Sequence, residues 1–141
     1  MSFDLYQENI LEHFQAPHNK GRMEHPSIHY RDLNPLCGDE IEFFLKLDGN
    51  LISEVGFLGD GCAISQASAS MLTDELKGKQ VDFLKGMDKD TVLGLLGIEL
   101  SPVRMKCALL SVRVLKMAYY RHLGQKEQEI KEKLDDAGLG Y

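Results

Sequence analysis

Between Glu40 and Phe57 two strand-like runs lie on either side of a turn signal, and that hairpin limits the possible folds more than any other stretch. Glu40 to Leu47 reads Glu-Ile-Glu-Phe-Phe-Leu-Lys-Leu, Asp48-Gly49-Asn50 follows, and Leu51 to Phe57 supplies the return. A turn this short forces the two runs to pair antiparallel. Ser27 to Leu33 is a candidate first strand ahead of them.

The period then changes. Ile64, Ala67, Ser68, Met71, Leu72 and Leu76 share one helical face, and the helix ends near Gly78. Val81 to Lys85 and Thr91 to Leu96 fit short helices. Ser101 suits an N-cap and Pro102 a first helical position, so a long helix is expected to about His122, with Val103, Cys107, Leu110, Val114 and Leu115 inward. Gln125 to Asp135 reads as a polar helix that buries Ile130 and Leu134 and carries Glu127/Lys131 and Glu129/Lys133 pairs. Near the N-terminus, Leu5 to Gln15 sets Leu5, Ile10, Leu11 and Phe14 mainly on one stripe, stopped by Pro17 and Gly21. Strands first and helices later imply an α+β fold, with helices on one side of a small antiparallel sheet.

At 141 residues the natural count is one domain, 1–141, large enough for a real core. No apolar run approaches a membrane span and no signal peptide is visible, so a cytoplasmic protein with reduced thiols is expected, without a membrane partner. A net charge of −6 argues against a nucleic-acid partner.

Three cysteines carry the chemistry. Cys37 stands in Asn34-Pro35-Leu36-Cys37-Gly38-Asp39, Cys62 in Gly59-Asp60-Gly61-Cys62-Ala63-Ile64-Ser65, and Cys107 in Ser101-Pro102-Val103-Arg104-Met105-Lys106-Cys107. An odd number cannot close into a full set of internal disulfides. Asp39 is near enough to Cys37 to share one metal with it. Cys62 opens a helix whose N–H groups favour a thiolate, and Lys106 puts an ammonium beside Cys107. Three thiolates and one carboxylate make a four-ligand site for a thiophilic metal or an iron–sulfur cluster. No two cysteines have C-x-x-C spacing, so the ligands meet only through the tertiary fold. A site without a local clip suits loading and release. The bland readings are three small buried hydrophobes, or a structural zinc site that mediates protein contacts. Placement at turns and helix starts weighs against the first, while the second would use the same ligands.

At these motifs the chain strongly resembles the IscU-type iron–sulfur cluster assembly scaffolds, the NifU N-terminal family, which includes a SufU branch. The resemblance runs through Leu5-Tyr6, His13-Phe14, Pro17, Asn19-Lys20-Gly21, the Asn34–Asp39 motif, Gly59 to Met71, and Arg104-Met105-Lys106-Cys107-Ala108. It implies a SufE/IscU-like α+β domain with a three-stranded antiparallel sheet and the metal site at one exposed end. Cys37, Cys62 and Cys107 would bear the cluster. Asp39 would be the fourth ligand or the group that keeps the cluster exchangeable. A cysteine desulfurase would deliver sulfur, Fe2+ and electrons would follow, and a transient [2Fe–2S] cluster would pass to acceptor apo-proteins or carrier proteins. Such a protein is an assembly scaffold, not a turnover enzyme, and exists as a monomer or a cluster-bridged dimer.

Two departures shape the alternative. IscU proteins usually carry histidine before the third cysteine, whereas Lys106 here is typical of SufU, which binds Zn2+ and accepts persulfide sulfur from its desulfurase. In that sulfurtransferase reading Cys107 is the candidate persulfide acceptor and Lys106 a modulator, able to pair with Asp39 when no metal is bound. The usual SufU insertion between the second and third cysteines is missing. The chaperone motif Leu-Pro-Pro-Val-Lys of IscU appears as Leu100-Ser101-Pro102-Val103-Arg104, so chaperone dependence does not carry over.

Five histidines, His13, His18, His25, His29 and His122, stand apart from the cysteine motifs. His13 reads as a packing or hydrogen-bonding residue. His18, His25 and His29 read as exposed, with His29 the best placed for ligation because it precedes the Cys37 loop.

Overall fold

A computed structural model describes residues 3–36 and 38–140. Three strands, β1 (Ile28–Leu33), β2 (Glu40–Asp48) and β3 (Leu51–Asp60), form one antiparallel sheet in the order β1-β2-β3. The expected hairpin is present. Asp48 pairs with Leu51, so the loop is Gly49-Asn50, and Gly49 takes φ +60°, as such a tight turn demands. Ile41, Phe43 and Leu45 alternate along β2 and point with Ile52 and Phe57 into the core.

Five α-helices complete the order: α1 (Phe3–Gln15), α2 (Ala63–Leu76), α3 (Lys89–Leu96), α4 (Pro102–His122) and α5 (Glu127–Asp136), with a short 3₁₀ helix, Val81–Gly86, before α3. The free edge of β3 is covered from two directions. Phe57 exchanges backbone bonds with Asn19 and Gly21, and Ile52 with Gly78 and Lys79. Helix α4 begins as expected, with Ser101 accepting from the Arg104 N–H and Pro102 at the first position.

Four expectations are corrected. Helix α1 buries Ile10 and His13 but leaves Leu5, Leu11 and Phe14 exposed, because its one covered side rests on α2. Val103 is 66% exposed, since the first turn of α4 projects beyond its neighbours. From Cys107 to Tyr120 every residue of α4 is buried, not one face only. Over that stretch the helix packs against β1, β2, α2, α3, α5 and the 3₁₀ helix, so it has no solvent side there. The Glu127–Lys131 pair forms at 3.5 Å, but Lys133 donates to Gln125 Oε1 and lies over the Tyr120 ring instead of meeting Glu129.

Buried charge on α4 has partners. Arg113 Nε donates to Asp32 Oδ2 at 3.2 Å and Nη1 to the Leu139 carbonyl at 3.0 Å, and Lys116 Nζ donates to the Lys85 carbonyl at 2.8 Å. The C-terminal residues therefore fold back along α4, with Leu139 in the core. No helix among the described residues is long and apolar enough to cross a membrane.

Candidate metal centre

The starts of β2 and α2, with α4, build the site. Asp39 immediately precedes β2, and its carbonyl accepts from the Asn34 N–H at 2.8 Å, closing the loop from β1. Gly38 donates to the Asn34 carbonyl, and the Asn34 side chain accepts from the Leu36 N–H, so the loop is stitched by its own asparagine. Cys37 lies outside the described residues. At the same open end of the β2–β3 pair, Glu40 faces Asp60, and Gly61 turns the chain into α2 with Cys62 as its N-cap.

These elements bring Asp39, Cys62 and Cys107 together. One ligand atom from each lies within 4.8 Å of the others. Cys62 is half-buried, and Cys107 and Asp39 are buried. The Cys62 N–H donates to Asp39 Oδ1 at 3.2 Å. Burial pushes the Asp39 carboxyl up, but the donors of the Cys62, Ser65 and Cys107 side chains and the Cys62 backbone pull it down, and the net direction is down. These side chains approach without satisfying the second oxygen: Oδ2 is buried with no hydrogen-bond partner. An ionised, buried oxygen is costly unless a cation or donor meets it. The donor set of two thiols and a carboxylate fits a soft or borderline metal.

Two supporting residues escaped the sequence reading. Gly61 adopts φ +146°, and a Cβ there would overlap the Asp39 carboxylate. Glycine is thus required both by the backbone and by the close approach of the acid. Its place directly before the cysteine was the available signal. Ser65, one turn into α2, accepts from Cys62 Sγ at 3.9 Å and donates to the Cys62 carbonyl at 3.1 Å.

Lys106 does not meet Asp39. Its Nζ donates to the Gly140 carbonyl at 2.8 Å, so the residue beside Cys107 anchors the C-terminal segment. His29 is not among the gathered donors either; its ring stacks on Phe44 at 6.3 Å. His13 is buried and hydrogen-bonded, as expected of it.

A three-stranded antiparallel sheet backed by helices, with thiols and a carboxylate converging beside the N-terminus of one helix, defines a small α+β protein that presents a thiol–carboxylate cluster. The chain belongs to the NifU-like N terminal domain family, whose model matches residues 5–129. It is 36% identical over 137 residues to the zinc-dependent sulfurtransferase SufU of Bacillus subtilis, covering 85% of this chain and 92% of that one. It is 34% identical over 131 residues to the iron–sulfur cluster assembly scaffold protein IscU 1 of Archaeoglobus fulgidus, covering 91% of this chain and 84% of that one. Its fold matches the N-terminal NifU-like protein of Brucella abortus with a TM-score of 0.70 at 19% identity, covering 87% of this chain and 97% of that one.

Proposed function

We propose that this chain is a scaffold on which a transient [2Fe–2S] cluster is assembled and from which it is handed on, with Cys37, Asp39, Cys62 and Cys107 as ligands. The cluster is cargo. A cysteine desulfurase supplies its sulfur, Fe2+ its metal, and acceptor apo-proteins or carriers receive it. The observation that carries this reading is the convergence of Asp39, Cys62 and Cys107 from three segments distant in sequence, with Asp39 Oδ2 buried and unpartnered. The protein supplies geometry and exposure, and the bound inorganic unit supplies the chemistry. A carboxylate among thiolates is the harder and more exchangeable ligand, which suits cargo that must leave.

The second reading is a zinc-dependent sulfurtransferase, in which Zn2+ rests on the same donors until a desulfurase docks and Cys107 accepts the sulfane sulfur. The 36% identity to SufU favours it, as does Lys106. The missing insertion that SufU usually carries favours the scaffold. The SufU alignment runs over 137 positions yet draws on only 85% of the 141 residues, so that relative carries positions this chain lacks.

The deciding experiment incubates the reduced protein anaerobically with a cysteine desulfurase, cysteine and Fe2+, with and without excess Zn2+. Visible charge-transfer bands of a [2Fe–2S] centre, transferable to an apo-ferredoxin, are expected. Tight zinc binding with stimulated desulfurase turnover and no colour overturns the scaffold reading in favour of sulfur relay.

A further inference from the structure

At the end of α2 remote from Cys62, two imidazoles and a carboxylate meet. One ligand atom each from His13, His18 and Asp74 lies within 4.8 Å of the others. About 18 Å of helix axis separates Asp74 from Cys62 at 1.5 Å per residue, so this cluster is distinct from the thiol site. His13 stands in the last turn of α1, His18 in the connection that follows, and Asp74 near the end of α2.

The three side chains are held for ligation by their neighbours. His18 Nδ1 meets Asp74 Oδ2 at 2.6 Å, and because an ionised carboxylate only accepts, the proton of that bond sits on Nδ1. Asp74 Oδ1 accepts from Asn19 Nδ2 at 3.1 Å. Ser70 Oγ lies 2.7 Å from His13 Nδ1 and accepts the His18 N–H at 2.8 Å, which ties both histidines to one hydroxyl. The two rings are 4.4 Å apart and tilted by 45°. Burial, and then the neighbouring His18, hold the His13 pKa below its ordinary value.

We propose that His13, His18 and Asp74 form a second, thiol-free site for a divalent transition-metal ion of the zinc type, which clamps the end of α1 and its connection onto α2. Two imidazoles and a carboxylate are an established zinc donor set that leaves the fourth position to water. Donors about 2.0–2.1 Å from a tetrahedral ion are roughly 3.4 Å apart, a separation between the 2.6 Å of the His18–Asp74 contact and the 4.8 Å that bounds the cluster. Two adjacent imidazoles exclude Mg2+ and Ca2+, which take oxygen ligands. Binding releases the proton that His18 shares with Asp74.

The test is a titration of reduced, metal-free, full-length protein with Zn2+ against a chromophoric chelator, paralleled by Co2+. Two equivalents are expected. One Co2+ shows near-ultraviolet thiolate charge transfer, and the other shows d–d bands without it. His18→Ala and Asp74→Asn alter exposed side chains, and each is expected to weaken the thiol-free equivalent at least tenfold while leaving the thiolate bands unchanged. In the wild type, the His13 and His18 ring resonances are expected to shift with added Zn2+. Saturation by a single thiolate-bound equivalent overturns the proposal. So do variants that bind both equivalents like the wild type, and ring resonances that stay still at saturating Zn2+. Thiolate bands report the cysteine cluster alone, so failure there is read separately.

Discussion

The backbone N–H of Cys62 donates to Asp39 Oδ1 at 3.2 Å, so the residue that starts α2 also aims the carboxylate that precedes β2. Cys62 therefore contributes twice to the site, through its sulfur and through its amide. The second carboxylate oxygen is buried without a hydrogen-bond partner.

On the proposed scaffold reading, Asp39→Ala removes the exchangeable ligand and leaves only thiolates. Cluster release to an apo-ferredoxin is expected to slow, on the order of tenfold, as judged from the scale of ligand-environment effects in metal sites. The decay of the donor spectrum measures it. Equal release rates would remove the lability role from Asp39.

Gly61→Ala tests the close approach to the acid. An alanine Cβ would overlap the Asp39 carboxylate, and φ +146° is a glycine conformation. Expected losses are roughly 1–3 kcal/mol of stability by denaturant unfolding and a measurable drop in Zn2+ affinity as Asp39 is displaced. A variant with wild-type stability and affinity would show that the turn relaxes at no cost.

Much of this arrangement is legible in the sequence, and the rest is not for identifiable reasons. The Asp48-Gly49-Asn50 turn and the Ser101-Pro102 helix start are local signals, because each depends on backbone preferences of two or three residues. The three cysteine motifs mark their own turns and helix starts. Which face of α1 is covered depends on α2, so the stripe of Leu5, Leu11 and Phe14 suggested burial while Ser70 in fact draws His13 inward. All-round burial of α4 depends on six partner elements, and no periodicity within the helix reports them. His18 and Asp74 meet across most of the N-terminal half, and nothing near either residue announces the other.

Lys106→Ala separates anchoring from chemistry. Lys106 Nζ donates to the Gly140 carbonyl and not to Asp39. The variant is expected to keep its Zn2+ affinity within about twofold, since it loses no charge contact with the ligands. Faster amide exchange is expected at Leu139, whose N–H donates to the Leu134 carbonyl. Weakened metal binding would instead restore the pairing with Asp39.

Arg113→Met removes a buried guanidinium that joins Asp32 to the Leu139 carbonyl. Asp32 loses its close cation and the C-terminal segment loses a donor. A destabilisation of about 3 kcal/mol is expected from unfolding curves, the scale for breaking one side of a buried ion pair. Cluster assembly on the folded fraction should be unchanged, because Arg113 is not among the gathered ligands. A variant as stable as the wild type would mean that apolar packing of the methionine fully offsets the pair.

His13 makes stability depend on pH in a direction that follows from its environment. Its folded pKa is lowered by burial and by His18, while Asp74 and Glu12 act weakly the other way. The unfolded chain therefore takes up this proton first as pH falls through the ordinary histidine value of 6.5. The folded state does so only at lower pH. Stability drops across that interval and levels off below the folded value, where both states are protonated. His13→Gln retains an amide able to meet Ser70 and removes the titration. Denaturant midpoints of metal-free protein, measured from about pH 8 to 5, are expected to fall more steeply for the wild type than for the variant. Parallel curves would show that the buried imidazole titrates alike in both states and that its burial costs the charged form nothing.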